Sequence, residues 1–174
     1  MNRKGYILIF AAITLILGSV VLAFGDDIKQ APSCKYCGMN REMFAHSRMV
    51  IEYDDGTKMG TCSLHCAIVD LALNLDKNPK AIMVGDYGTK ALIDAEKATW
   101  IIGGSKPGVM TKNAKWAFAK KEDAEKYRQE QGGRLASFDE AVEAAHQDLY
   151  NDTKMIRERR KMRKMHQHHM MEKK

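Results

Sequence analysis

Apolar and polar positions along this chain mark out its elements before any single residue is considered. "YILIFAAITLILGSVVLAF", Tyr6 to Phe24, runs for nineteen residues without a charge, between Arg3-Lys4 and Gly25-Asp26-Asp27. This is the layout of an export signal, with Ala23-Phe24-Gly25 as a small-x-small cleavage site, or of an uncleaved anchor, because the run is close to the length that spans a bilayer. Either way the basic flank stays cytoplasmic and the remainder is exported. Residues 26–33 read as a linker. "RMVIEY" (48–53) and "TKMGTC" (57–62) have strand character around the turn Asp54-Asp55-Gly56, predicting a hairpin. In "SLHCAIVDLALNL" Ser63 can cap a helix, Cys66, Val69 and Leu73 recur at helical spacing, and Asn78-Pro79 stops it. "AIMVGDY" (81–87) then reads as a third strand.

The second half follows the same order. "ATWIIGG" (98–104) is a strand, "SKPG" (105–108) a turn, and "AKWAFAK" (114–120) a half-buried strand. "EDAEKYRQEQ" (122–131) is a polar helix closed by Gly132-Gly133, and "RLASF" (134–138) a final strand. The expected fold class is therefore α+β, with two tandem ββαβ modules; one continuous α+β domain is the alternative. From Asp139 the pattern is helical. Beyond about Asn151 its apolar stripe is too narrow to pack, which predicts a solvated helix or a disordered tail. The expected division is 1–25 signal or anchor, 26–33 linker, 34–90 first module, 91–140 second module, and 141–174 a basic tail.

Charge changes the picture of the ends. The whole chain carries +6. Residues 154–174 hold nine Lys or Arg against Glu158 and Glu172, and Arg3 and Lys4 add two more at the start. Subtracting both ends leaves residues 26–153 at −3. An exported body that is mildly acidic gives no support for nucleic-acid binding. At 174 residues the chain can also build a core without staples, so its four cysteines are not needed for stability.

Those cysteines are spaced C-x2-C, 24 residues, C-x3-C: Cys34, Cys37, Cys62 and Cys66. A turn followed by a helix N-terminus can bring four thiolates round one ion, as in treble-clef zinc sites. Export keeps a pair of disulfides open as a second reading. A third is a softer ion. Cys37-Gly38-Met39 sets a thiol and a thioether two residues apart, and Cu(I) accepts thiolate, thioether and imidazole where zinc rarely takes thioether. Met43, His46, Met49, Met59, His65 and Met110 are further soft groups. Met110 stands out because it follows the turn Pro107-Gly108, where a core residue is not expected. The tail adds Met162, Met165, His166, His168, His169, Met170 and Met171, a compositional metal-binding tract that can also face anionic lipid. No Ser-His-Asp set, phosphate loop or paired carboxylates point to catalysis. Cys34-x-x-Cys37 does not open a helix, as a thioredoxin-like motif would.

"YCGM" (36–39), "CSLHCAIVDLAL" (62–73), "IMVGDYGTKALIDAEKATWIIGG" (82–104) and "GVMTKNAKWAFAKKEDAEKYRQEQGGRLASFDE" (108–140) together resemble the NosL family of nitrous oxide reductase accessory proteins. The resemblance implies a non-enzymatic, exported, membrane-associated Cu(I) chaperone on the periplasmic face. It would take copper from a donor and pass it to a receiving enzyme, nitrous oxide reductase. Its fold would be two ββαβ modules akin to those of organomercurial lyase. Carried over by position, Cys37 and Met39 supply thiolate and thioether, and Met110 completes the site. The chain departs from the family pattern in three respects. It has no lipidation cysteine after the apolar run, so the run itself would be the anchor. Cys34, Cys62 and Cys66 exceed the minimal Cys-x-Met pattern; their spacing resembles TRASH or YHS metal-binding domains and keeps Zn(II) as the alternative ion. The Met/His tail is also additional.

Overall fold

The computed structural model describes residues 27–172, so the expected signal or anchor run lies outside the described residues. The elements are α1 (Asp27–Gln30), β1 (Met49–Tyr53), β2 (Lys58–Thr61), α2 (Leu64–Leu73), β3 (Pro79–Gly85), β4 (Leu92–Asp94), β5 (Thr99–Ile102), β6 (Lys115–Phe118), α3 (Lys121–Gln131), β7 (Arg134–Ala136) and α4 (Phe138–Glu172). They form a mixed α+β fold with two small antiparallel sheets, ordered β2-β1-β3-β4 and β6-β5-β7.

Strand β1 alternates as its sequence demands: Met49, Ile51 and Tyr53 are buried, with Val50 and Glu52 between them on the opposite face. The second sheet is buried on both faces. Trp100, Ile102 and Ala117 turn toward a core that also contains Met49, Ile51, Val84, Ile68, Phe138 and Ala141. Ile101, Trp116 and Phe118 turn the other way, into a second cluster with Tyr127, Cys34, Cys62 and Cys66. One core thus reaches across both sheets, while the cysteines sit over the far face of the second.

The seam between the sheets is tightly made. The Asp86 carboxylate accepts from the Thr89 N–H at 2.7 Å and the Ala119 N–H at 2.8 Å, and the Tyr87 N–H donates to the Ala117 carbonyl at 2.8 Å. On the other side of β3, a Cβ on Gly85 would lie 2.0 Å from the carbonyl oxygen of Ala45, in the turn before β1, so only glycine lets that turn pack so close.

The structure departs from the expected layout at several points. Helix α2 ends at Leu73, because the Asn74 side-chain amide takes the Asp70 carbonyl at 2.7 Å. Pro79 then opens β3, a position where its missing N–H costs nothing. Strand β4 was not foreseen; three residues are too few to display an alternation, and pairing with β3 defines them. Within the segment read as a linker, Asp27 is gripped by buried Arg41 and Arg48, each at 2.9 Å. Helix α4 continues without a break for 35 residues. Among the described residues no helix is long and apolar enough to cross a membrane.

Candidate metal centre

The turn that carries Cys34 and Cys37 is closed by two backbone bonds of 2.8 Å, from the Cys34 N–H to the Met39 carbonyl and from the Gly38 N–H to the Cys34 carbonyl. Gly38 makes the turn possible with φ +74°, a left-handed conformation that a side chain would strain. Cys62 follows β2 directly, and Cys66 lies in the first turn of α2. Ser63 occupies the cap position with extended backbone, but its hydroxyl makes no capping bond. The hydroxyl lies instead 3.8 Å from the Cys62 sulfur.

A buried carboxylate ties these pieces together. Asp70, one turn beyond Cys66 on α2, accepts from the Tyr36 hydroxyl in the knuckle and from the Tyr53 hydroxyl of β1, the latter at 2.6 Å. Burial and the Asp70 charge push both tyrosines well above the usual phenol range, so both remain donors. Tyr36 thereby fixes the knuckle over the helix that bears Cys66.

The result is a cluster in which the four Sγ atoms lie within 4.8 Å of one another, with Cys37 to Cys62 at 3.4 Å and Cys62 to Cys66 at 3.9 Å. All four are free thiols. Sulfurs bound tetrahedrally to one ion at ordinary metal–thiolate lengths stand ~3.8 Å apart, so the spacing fits a single soft ion with small adjustment. Hydrogen bonds from the other three thiols, Cys37 first, hold Cys34 far below the ordinary thiol range. Cys37 is lowered as well: the pull of Cys34 against it is outweighed by Cys62 and Cys66. Their bonds to the knuckle pair, together with burial, push Cys62 and Cys66 up.

Three of the sulfurs are buried and only Cys37 is half-exposed. It opens into a cleft of about 520 Å³ that also receives Met39, Met110 and, from α4, Ile156, Arg159 and Arg160. Met110 has φ +63°, strained for a side chain of its kind. The loop folds this way because Gly108 leaves room; a Cβ there would lie 2.6 Å from Thr111 and 2.9 Å from Ala114. Helix α4 clamps the same loop. Asp148 pairs with Lys115 and accepts from Asn113 at 2.9 Å, and Asp152 accepts from the Lys112 N–H at 3.3 Å.

Of the residues singled out from sequence, the structure gathers Cys34, Cys37, Cys62 and Cys66 in the cluster, and Cys37, Met39 and Met110 in the cleft. His65 is not part of the sulfur group. Its Nδ1 faces Asp152 at 3.6 Å, and burial, opposed by that carboxylate, lowers its pKa. Met49 belongs to the core and Met43 is exposed. His46 packs between Tyr87 and Trp116. Met162, Met165, His166, His168, His169, Met170 and Met171 are exposed on the last turns of α4. Sequence reasoning missed Asp70 and the wall that α4 contributes. An acid inside an otherwise apolar helix, four residues after Cys66, was the signal available for the first.

The NosL family model matches residues 26–146. A crystal structure of the copper chaperone NosL from Shewanella denitrificans superposes with a TM-score of 0.52 at 23% identity, over 63% of this chain and 89% of that one. At that identity the likeness concerns the fold. No curated protein matches.

Proposed function

The chain belongs to the NosL family, and from that premise we propose that it is a non-enzymatic Cu(I) chaperone whose cargo is held at the meeting of the sulfur cluster and the cleft. The observation that carries this reading is the position of Cys37, shared between three buried thiols and an open face lined by Met39 and Met110. Thiolate and thioether are the donors that Cu(I) prefers, and a half-open site suits a cargo that must leave again. Cys37, Met39 and Met110 form the outer set, with Cys34, Cys62 and Cys66 behind it. The strand orders β2-β1-β3 and β6-β5-β7, each with its first strand central, support two ββαβ units. Export, anchoring by Tyr6–Phe24 and delivery to nitrous oxide reductase complete the proposal. They rest on the apolar run and on the family resemblance.

The test is an anaerobic titration of Cu(I) against a chromogenic chelator. Wild type should bind tightly with a thiolate-to-copper band in the near ultraviolet, and Cys37→Ser should lose about 100-fold in affinity, as expected when a donor or its support is removed. Unchanged affinity in that variant would sink the assignment. A second reading has direct geometric support: four thiols within 4.8 Å also suit structural Zn(II). Stoichiometric zinc in anaerobically purified protein that Cu(I) fails to displace favours that reading.

A further inference from the structure

The last turns of α4 carry chemistry that the cleft does not use. With about 100° between successive residues, Met162, Met165, His166 and His169 fall at i, i+3, i+4 and i+7. Those four side chains stand on one helix face roughly 100° wide, with neighbours about 5–6 Å apart at Cβ. Met162 and Met165 are 57% and 55% exposed, and both histidines are exposed as well. His168 and Met171 project from other sides of the same helix, while Met170, four residues after His166, borders the stripe. As sequence, the seven soft residues are equivalent; as a helix, four of them converge.

We propose that this stripe is a second Cu(I) site, built from two thioethers and two imidazoles and separate from the cysteine centre. All four donors are neutral, so the ion is held by soft coordination without a thiolate, more weakly and with faster exchange than among the cysteines. The surroundings select the ion's charge. Arg157, Arg159, Arg160, Lys161 and Lys164 crowd these turns, and their repulsion of a divalent ion is twice that of a monovalent one. Zinc, with only two imidazoles to hold it and no taste for thioether, is disfavoured on both counts. Position gives the stripe a use. It starts two residues after Arg160, which lines the cleft, and Ile156 to Met162 is a rise of ~9 Å along the axis. Copper held here is poised within about two turns of the cleft mouth.

The experiment uses the full chain under anaerobic conditions, titrated with Cu(I) against bicinchoninate. The stripe variant is M162L/M165L/H166Q/H169Q and the control, off the stripe, is H168Q/M171L; Leu and Gln keep helix propensity, which far-ultraviolet circular dichroism checks. Wild type and control should each hold one more weakly bound Cu(I) than the stripe variant. The His166 and His169 ring resonances should shift on filling, as Cu(I) is diamagnetic. In Cys37→Ser the weak ion should persist, so failure of the cysteine assignment and failure of this one give different results. Retention of the weak ion by the stripe variant overturns the proposal. Equal loss in stripe variant and control does so too, because it means chelation without helical order.

Discussion

Arg41 is wholly buried, and its guanidinium donates to the Asp27 carboxylate at 2.9 Å and to the carbonyls of Asp27, Ala31, Met49 and Thr61 at 2.7–3.1 Å. Replacing it with Met leaves those acceptors unpaired in the interior and should cost about 3–5 kcal/mol, read as a lower urea midpoint. Arg41→Lys should recover little, since one ammonium cannot reproduce a planar fork of donors. At Gly38 a smaller penalty is expected. Alanine there meets no atom within 4 Å but must hold φ +74°, so Gly38→Ala should destabilise by roughly 1–2 kcal/mol and weaken copper binding, because the knuckle opens. The cysteines could be read from sequence because ligand spacing within each pair is local. Arg41 and Asp70 could not: their partners come from 14 and 34 residues away, and nothing in a one-dimensional pattern pairs them.

Helix α4 has two halves with different duties. Its first turns contribute Phe138, Ala141, Ala144 and Ala145 to the core, and Asp148 and Asp152 hold the Met110 loop. The described residues of its last turns are largely exposed and contribute nothing to the core clusters, so removing residues 162–174 should leave the thermal midpoint unchanged while lowering the copper bound per chain. A fall in midpoint on truncation would mean those turns pack. Asp148→Asn, in contrast, should weaken both stability and Cu(I) affinity, because Lys115 loses its counter-charge while buried and the loop bearing Met110 is freed. Long elements with a clear period were readable along the chain, and the polar helix before Gly132-Gly133 falls within one residue of its expected start. Strand β4 and the grip on Asp27 escaped notice because tertiary partners, not local pattern, create them.

A core shared by β1, β3, α2, β5 and α4 makes the sheets interdependent, and denaturation should proceed in one cooperative transition by fluorescence and circular dichroism alike. Acid should erode that stability through two groups on the seam. His46 is lowered by burial and then by Lys90, and Asp86 is lowered because N–H donors from Thr89 and Ala119 outweigh its burial. Both groups bind protons more readily when unfolded, so stability is fully present above the ordinary histidine range and declines as pH falls through their folded values. Metal loading should oppose unfolding, by about 2.7 kcal/mol when free Cu(I) is 100-fold above its dissociation constant. Its affinity should in turn drop with acidification, as Cys62 and Cys66 must surrender protons to coordinate. That Cys37 alone of the four cysteines is partly exposed has a kinetic corollary. With Cys34, Cys62 and Cys66 sealed behind it, an acceptor's ligand would, on the proposed function, reach a bound ion from one side only, through a transient intermediate shared by both proteins. Release should therefore be second order, with a rate that climbs in proportion to acceptor concentration and stays near zero in buffer alone.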